Sequence, residues 1–148
     1  MLELPRNYRL TATRRMGNTM MVALLRLGLG PKHNYLLTTR GRKTGRLHTT
    51  PVTLVEEDGQ RWLVAPSGVV GWVRNVRASG EATLGRGRRS ERVRAEEVDA
   101  PLAAPVLKRY LQQEPIVRPF FDVEPDSDIA DFAAEASRHP VFAVTPVG

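Results

Sequence analysis

Residues 36–51 read LLTTRGRKTGRLHTTP. An apolar and β-branched run enters a turn bounded by Gly41 and Gly45, and a similar run leaves it, which predicts two strands joined by a basic turn. Both glycines are expected to let the turn adopt positive φ and to bring backbone N–H groups close to a ligand. The chain therefore contains a strand–turn–strand unit with the shape of a binding loop.

The turn carries the side chains that bind anions. Arg42, Lys43 and Arg46 can neutralise a phosphate, and Thr44 adds a hydroxyl donor. A phosphate or a carboxylate tail is therefore expected there. The alternative is an exposed hairpin whose charges are only solvated, which is the commoner case for an isolated Gly-Arg-Lys turn because short motifs often match by chance.

The residues around this unit predict a β-rich chain. Apolar or β-branched runs alternate with turn signals such as Glu57-Asp58-Gly59. Pro66-Ser67-Gly68 interrupts the pattern, and one or two helical turns are expected over residues 71–77. The predicted strands cover residues 34–39, 49–55, 61–65, 82–84, 92–98 and 141–144.

Three segments have the apolar spacing of amphipathic helices. The first covers residues 8–29, and its expected apolar face consists of Met16, Met20, Leu24 and Leu27. The second covers residues 101–113, with Leu102, Val106, Leu107 and Tyr110 on one face. The third covers residues 126–139, with Ile129, Phe132, Ala133 and Ala136 on one face and Asp126 or Ser127 as its N-cap.

These elements predict a mainly β (α+β) fold. A leading helix, five or six short strands and helices inserted before the last strand indicate a closed or nearly closed antiparallel barrel with helices outside it. We expect one domain over residues 1–148. Its leading helix would take residues 8–29, its barrel residues 34–98 and 140–145, and its inserted helices residues 101–139.

Charge is distributed unevenly along the 148 residues. The net charge is +6, yet residues 1–48 hold ten bases and one acid, whereas residues 95–148 hold four bases and ten acids. A basic surface attracts nucleic acid, anionic lipid and phosphorylated cofactors alike. The chain has no Cys and no long apolar stretch, so we expect a cytoplasmic protein without a cleaved signal or a membrane anchor.

Three segments resemble the deazaflavin-dependent nitroreductase family in order and spacing. They are residues 36–51, Ala65-Pro66-Ser67-Gly68 and Trp72-Val73-Arg74-Asn75, and the resemblance covers about residues 18–98. It implies a split β-barrel of the FMN-binding-protein type. It also implies an oxidoreductase in which a reduced deazaflavin (coenzyme factor 420) passes hydride to a quinone, an enone or a nitroaromatic acceptor, with FMN as the less favoured cofactor.

The same resemblance implies which residues bind the coenzyme. Arg42, Lys43 and Thr44 would hold its phosphate and acidic tail, with Gly45, Arg46 and His48 nearby and with Thr50 and Pro51 at the ring system. The loop and turn that follow would pack over the coenzyme through Ser67, Gly68, Trp72 and Asn75, and Ser67 is the candidate catalytic residue. A homodimer with sites near the interface is also implied.

Two segments depart from the family pattern. Gly68-Val69-Val70-Gly71 replaces a longer loop that often contains a Lys and a Pro. The C-terminal third lacks the tyrosine cluster that some members place over the substrate, and its aromatic residues are Tyr110, Phe120, Phe121, Phe132 and Phe142. Nitro reduction in particular is therefore not assumed.

Two other classes of function stay open on the sequence. A split barrel can carry a flavin, a haem or a lipid ligand without turnover, as a carrier or sensor. A basic module can bind nucleic acid or anionic lipid, but Arg86-Gly87-Arg88-Arg89 is better explained as a solvated hairpin tip without stacking aromatics. Arg14-Arg15 followed by the apolar stripe is a pattern that can rest on an anionic membrane surface, but packing over the barrel mouth or against a dimer partner explains the same pattern and is favoured. The three scattered histidines predict no metal site.

Overall fold

The computed structural model describes residues 19–147. Six antiparallel strands form a closed barrel in the order β1-β2-β3-β6-β5-β4, and β4 pairs back with β1. The strands are β1 (Asn34–Arg40), β2 (Leu47–Glu57), β3 (Gln60–Val64), β4 (Glu81–Arg86), β5 (Arg89–Glu97) and β6 (Val141–Pro146). The helices are α1 (residues 19–26), α2 (Gly71–Ser79), α3 (Ala100–Gln113) and α4 (Ile129–Glu135), with a 3₁₀ helix at Pro115–Phe120. The predicted barrel with outer helices is confirmed.

Alternate residues of the strands fill the barrel interior, because successive side chains of a strand point to opposite faces. Val52 and Leu54 of β2 belong to the interior cluster, whereas Val55 belongs to a cluster on the outside. Val73 and Val76 of α2 also pack into the interior cluster, so α2 covers one end of the barrel. The last strand pairs with both β3 and β5, which closes the sheet as its position in the chain predicts.

A second buried cluster lies between the outer face of the sheet and the inserted helices. Val55 and Val64 face it from the sheet, and Leu107 and Phe132 face it from α3 and α4. The side chain of Gln113, at the end of α3, donates from Nε2 to the backbone oxygen of Leu54 at 3.1 Å. This contact fixes the C-terminal end of α3 beside the middle of β2.

The structure corrects the predicted face of the leading helix. Leu25 is fully buried, whereas Met20 and Leu27 are exposed. Met16 and the other predicted helix residues before 19 lie outside the described residues. Six of the eight residues of α1 are apolar, so spacing alone does not select a face. The helix is fixed instead by the Gly87 N–H, which donates to the Leu25 carbonyl oxygen at 2.7 Å.

Two predictions about the inserted helices are also wrong in detail. Leu102 is exposed, because the buried stripe of α3 is centred on Ala103 and Leu107, and the small alanine side chain permits close packing there. The third helix begins later than expected, at Ile129 with Asp128 as its N-cap, and Ile129 itself is exposed. Within residues 19–147, no helix combines the length and the apolar character needed to cross a membrane.

Candidate functional site

A cleft of about 850 Å³ runs from the basic turn, along β2, to α3 and the 3₁₀ helix. Most of the residues that the sequence assigns to the coenzyme lie along it: Arg42, Lys43, Thr44, His48, Thr50, Pro51, Ser67, Trp72 and Asn75. Three others, Gly45, Arg46 and Gly68, are not part of its lining. Segments far apart in the sequence therefore form one site.

The basic turn is closed by backbone hydrogen bonds. The Gly41 N–H donates to the Arg46 oxygen at 2.7 Å, and the Gly45 N–H donates to the Gly41 oxygen at 2.9 Å. Gly45 has φ of +73°, as expected, but Gly41 is not among the residues with positive φ. Gly41 leaves space instead, because a Cβ there would lie 3.1 Å from both His48 Nε2 and Thr44 Oγ1 and 3.2 Å from the Arg46 backbone oxygen.

The cations of the turn have no acidic partner. Arg42, Lys43 and Arg46 are exposed, and none of them forms an ion pair with another residue in the range 19–147. Five other arginines of the described residues do form ion pairs with carboxylates, as in the two-contact pair of Arg61 with Glu91. Unpaired cations at the end of a cleft leave positive charge available to an anionic ligand.

Asn75 connects the turn to the body of the protein. Its Oδ1 accepts from the Arg42 backbone N–H at 3.2 Å and from Arg42 Nη1 at 3.1 Å. Its Nδ2 donates to the hydroxyl of Thr39 at 3.1 Å, and both Asn75 and Thr39 are buried. The side chain of Asn75 therefore orients Arg42 and leaves the other guanidinium N–H groups of Arg42 available to a ligand.

The conformation of the loop that carries Ser67 depends on the next residue, Gly68. Gly68 has φ of +84°, and a Cβ at that position would lie 3.2 Å from the Arg138 backbone oxygen. The Ala65 N–H donates to the Pro140 oxygen at 2.9 Å, so the start of this loop is held against the residue that precedes β6. Ser67 is exposed at the cleft, and its hydroxyl has no hydrogen-bond partner among the described residues. A ligand can therefore bind this hydroxyl.

Trp72 and His48 have two surroundings each. The Trp72 ring packs against Phe142 in the barrel interior, with ring centroids 5.7 Å apart, and also lines the cleft. His48 lines the cleft, and its Nε2 lies close to Gly41, where a larger residue would have its Cβ. In the part of the chain that the structure describes, no three His, Asp or Glu side chains come together as a metal site.

The far end of the cleft contains residues that the sequence does not single out. Tyr110, Val117 and Phe120 line it beside Val64. Tyr110 is predicted as part of the apolar face of α3, and it is indeed buried, but it also borders the cleft. A tyrosine among alanine, valine and leucine on a buried helix face is the one sequence signal that marks this position, since a phenol needs a polar partner.

The two ends of the cleft differ in chemistry and lie far apart. The lining follows β2 from His48, beside the basic turn, to Thr53, five residues further along the strand. At about 3.3 Å per residue, this part of the cleft is roughly 17 Å long. Cations at one end and apolar side chains at the other fit a deazaflavin coenzyme with a phosphate and an acidic tail, and the volume is that of a typical cofactor site.

Comparison with known families identifies the family of this chain. A family model described as F420H(2)-dependent quinone reductase matches residues 7–121, which is most of the chain. The chain belongs to this family. It is therefore a reductase that uses the deazaflavin coenzyme, and the resemblance drawn from residues 36–51 and the segments after them is confirmed.

Solved structures share the fold at low identity. A structure described as an F420-H2 dependent reductase (FDR-A) is 23% identical, with 77% of this chain and 95% of that chain covered and a TM-score of 0.56. A domain-swapped dimer is 20% identical, with 96% and 100% covered and a TM-score of 0.57. The heme storage protein HutZ from Vibrio cholerae is 12% identical, with 79% and 83% covered and a TM-score of 0.57. No curated protein sequence matches this chain. These structural similarities establish the fold alone.

Proposed function

We propose that this reductase passes a hydride from the reduced deazaflavin to a quinone, with Arg42, Lys43 and Thr44 binding the phosphate and the acidic tail of the coenzyme. The observation that carries the proposal is the unpaired positive charge at one end of a single cleft whose other end has no charged side chain among the described residues. Thr50, Pro51 and Ser67 lie between these ends and are the residues we assign to the ring system.

The coenzyme, when bound, supplies a hydride, which is a hydrogen nucleus with two electrons. The side chains of this protein bind the coenzyme, orient it and shield the reacting atoms from water. Arg42, held by Asn75, fixes the anionic end, so that the distance along β2 determines where the ring lies. Apolar walls keep water from the reacting atoms, and a fixed geometry replaces a chance encounter between coenzyme and acceptor.

The lining favours a flat, uncharged organic acceptor. Val117 and Phe120 offer apolar contact at the end away from the cations, and no acidic or basic side chain lines that end among the described residues. A quinone fits this environment, and the family description names quinones. An enone or a nitroaromatic has the same general shape and polarity. The acceptor gains the hydride and one proton from solvent, so that a quinone leaves as a hydroquinone.

We also propose a homodimer, one domain over residues 1–148 and a cytoplasmic location. Support for the dimer comes from the domain-swapped dimer among the structures of this fold and from exposed apolar side chains such as Leu47 and Phe120 near the cleft. Sedimentation of the purified protein tests the dimer, since a monomer at micromolar concentration would contradict it.

The first experiment is calorimetric titration with the oxidised deazaflavin. We expect the double variant Arg42→Ala/Lys43→Ala to raise the coenzyme Kd by at least about tenfold, which corresponds to roughly 1.4 kcal/mol. The matched control is Arg88→Ala/Arg89→Ala, which removes the same charge from an exposed hairpin outside the cleft. The control corrects for the general attraction of a basic protein to an anion.

Each result has a clear meaning. A Kd that rises only in the Arg42/Lys43 variant supports the assignment of the basic turn. Equal changes in both double variants, or no change in either, contradict it. Tight binding of FMN instead of the deazaflavin would favour another flavin enzyme, and coenzyme binding without reduction of any acceptor would favour a carrier. Salt-sensitive DNA binding without coenzyme affinity would favour a nucleic-acid module.

A further inference from the structure

Tyr110 occupies an unusual position at the apolar end of the cleft. It lies on α3, three residues before the helix ends, and only 2% of the residue is exposed. Its ring packs against Phe121, with ring centroids 6.3 Å apart at 54°. The ring is therefore held in place by the outer cluster, while part of the side chain borders the cleft.

The Tyr110 hydroxyl has no hydrogen-bond partner among residues 19–147. The side-chain polar atoms in that range that are both sealed from solvent and without a partner belong to His33, Glu135 and His139, and the Tyr110 oxygen is not one of them. The hydroxyl therefore reaches the surface of the cleft. A buried phenol normally binds a polar group, so this donor is available to a ligand in the cleft.

The hydroxyl also stays protonated. Burial raises the pKa of Tyr110, and the nearby Glu114 carboxylate raises it further. At neutral pH the group is therefore a neutral O–H that can donate one hydrogen bond. Val117 and Phe120, which line the cleft with it, have no polar side-chain atom.

We propose that the Tyr110 hydroxyl donates a hydrogen bond to the carbonyl oxygen of the acceptor and thereby selects carbonyl acceptors such as quinones. This inference rests on the proposed function. Tyr110 lines the cleft from α3, together with Val117 and Phe120, whereas the cations that we assign to the phosphate lie on the turn before β2. The group within its reach is therefore assigned to the acceptor and not to the anionic end of the coenzyme.

The hydrogen bond has a direct effect on the reaction. As a quinone takes up a hydride, negative charge develops on a carbonyl oxygen, and a positioned donor stabilises that charge more than it stabilises the neutral quinone. The reduced deazaflavin loses the hydride with its two electrons, and the quinone gains it together with one proton from solvent. Tyr110 keeps its own proton throughout.

The test compares Tyr110→Phe with Tyr35→Phe. Each change removes one phenolic oxygen, but the Tyr35 hydroxyl donates to Glu56 at 2.9 Å and Tyr35 is not part of the cleft. Menadione, a soluble naphthoquinone, is the probe, and the protein is loaded with the deazaflavin. Infrared difference spectra record the carbonyl stretch of bound menadione, and titrations record the Kd of menadione and of the coenzyme.

We expect Tyr110→Phe to raise the menadione Kd roughly 2- to 12-fold, the effect of one neutral hydrogen bond, and to lower kcat/KM at least as much. The carbonyl stretch should move to higher frequency, because the hydrogen bond that weakens the C=O bond is lost. The coenzyme Kd should change less than about twofold. Tyr35→Phe should alter none of these quantities.

An unchanged carbonyl stretch in Tyr110→Phe overturns the inference. So does an increase in the coenzyme Kd with no change for menadione, since the hydroxyl would then bind the coenzyme. Failure of the proposed function is distinct from both outcomes. In that case the wild-type protein loaded with reduced deazaflavin would fail to reduce menadione or any other quinone, whatever residue stands at position 110.

Discussion

Replacement of Asn75 by alanine tests how the basic turn is held in place. The buried side chain makes two hydrogen bonds to Arg42 and one to Thr39. Each hydrogen bond contributes about 0.5–1.5 kcal/mol net, and the buried Thr39 hydroxyl loses its partner in the variant. We therefore expect the free energy of unfolding to fall by about 2–4 kcal/mol, which urea denaturation followed by circular dichroism measures.

The same replacement is expected to weaken coenzyme binding indirectly. Without Asn75, Arg42 regains side-chain freedom that binding must remove again, at a cost of about 1–2 kcal/mol. The coenzyme Kd should therefore rise roughly 5- to 30-fold. Arg74→Ala is the control, because Arg74 lies on the same helix, is exposed and makes no side-chain hydrogen bond among the described residues.

A double-mutant cycle separates positioning from any direct contact. If Asn75 acts through Arg42, then Asn75→Ala has almost no further effect on the coenzyme Kd in an Arg42→Ala background. Additive losses would show that Asn75 contacts the coenzyme itself. A stability loss of the expected size with an unchanged Kd would refute the reasoning, because Arg42 would then not need this orientation to bind the coenzyme.

Two further predictions concern the fold. Gly87→Ala should lower the free energy of unfolding by about 2–3 kcal/mol, since Gly87 has φ of +60° and a Cβ there would lie 3.2 Å from Gly28 Cα. Gly59→Ala is the control: Gly59 has φ of +79° but open space around it, so the loss should be about 1 kcal/mol. Equal losses in urea denaturation would contradict the close approach. Burial raises the pKa of both Tyr35 and Tyr110, with Glu56 adding to the rise at Tyr35, so their folded-state pKa lies above the unfolded value of about 10. The contribution of these two tyrosines to stability is complete below about pH 10 and is lost as the pH rises toward the folded-state pKa. The double variant Tyr35→Phe/Tyr110→Phe should therefore lose stability less steeply above about pH 10 than the wild type. Identical slopes of unfolding free energy against pH would contradict this.

Much of the fold can be predicted from the sequence because the relevant signals are local. Strand runs of β-branched residues and turn signals at Gly59 and Gly87 gave each strand to within a few residues. The face of α1 could not be predicted, because six of its eight residues are apolar and the docking of the Gly87 hairpin tip on Leu25 selects the buried side. Closure of the barrel also depends on pairings between strands distant in the chain, such as β1 with β4.

The candidate site divides in the same way. The spacing of residues 36–51 predicts a basic turn between two strands, and the positive φ of Gly45 agrees with the sequence, since glycine adopts that conformation without strain. The same expectation is wrong for Gly41, whose φ is not positive; glycine there leaves room for the side chains of His48 and Thr44, a contact that only the fold shows. The link from Arg42 to Asn75 spans 33 residues and is likewise visible only in the fold.

The sequence by itself determined the β-rich pattern, the basic turn and the family resemblance, because each depends on residue types at short spacing. Tertiary structure decided which of those residues share a cleft, that Asn75 orients Arg42, and that a helix residue predicted as core, Tyr110, presents its hydroxyl to the far end of that cleft. The physical reason is that hydrogen-bond partners and burial depend on contacts between distant segments, and no local pattern encodes them.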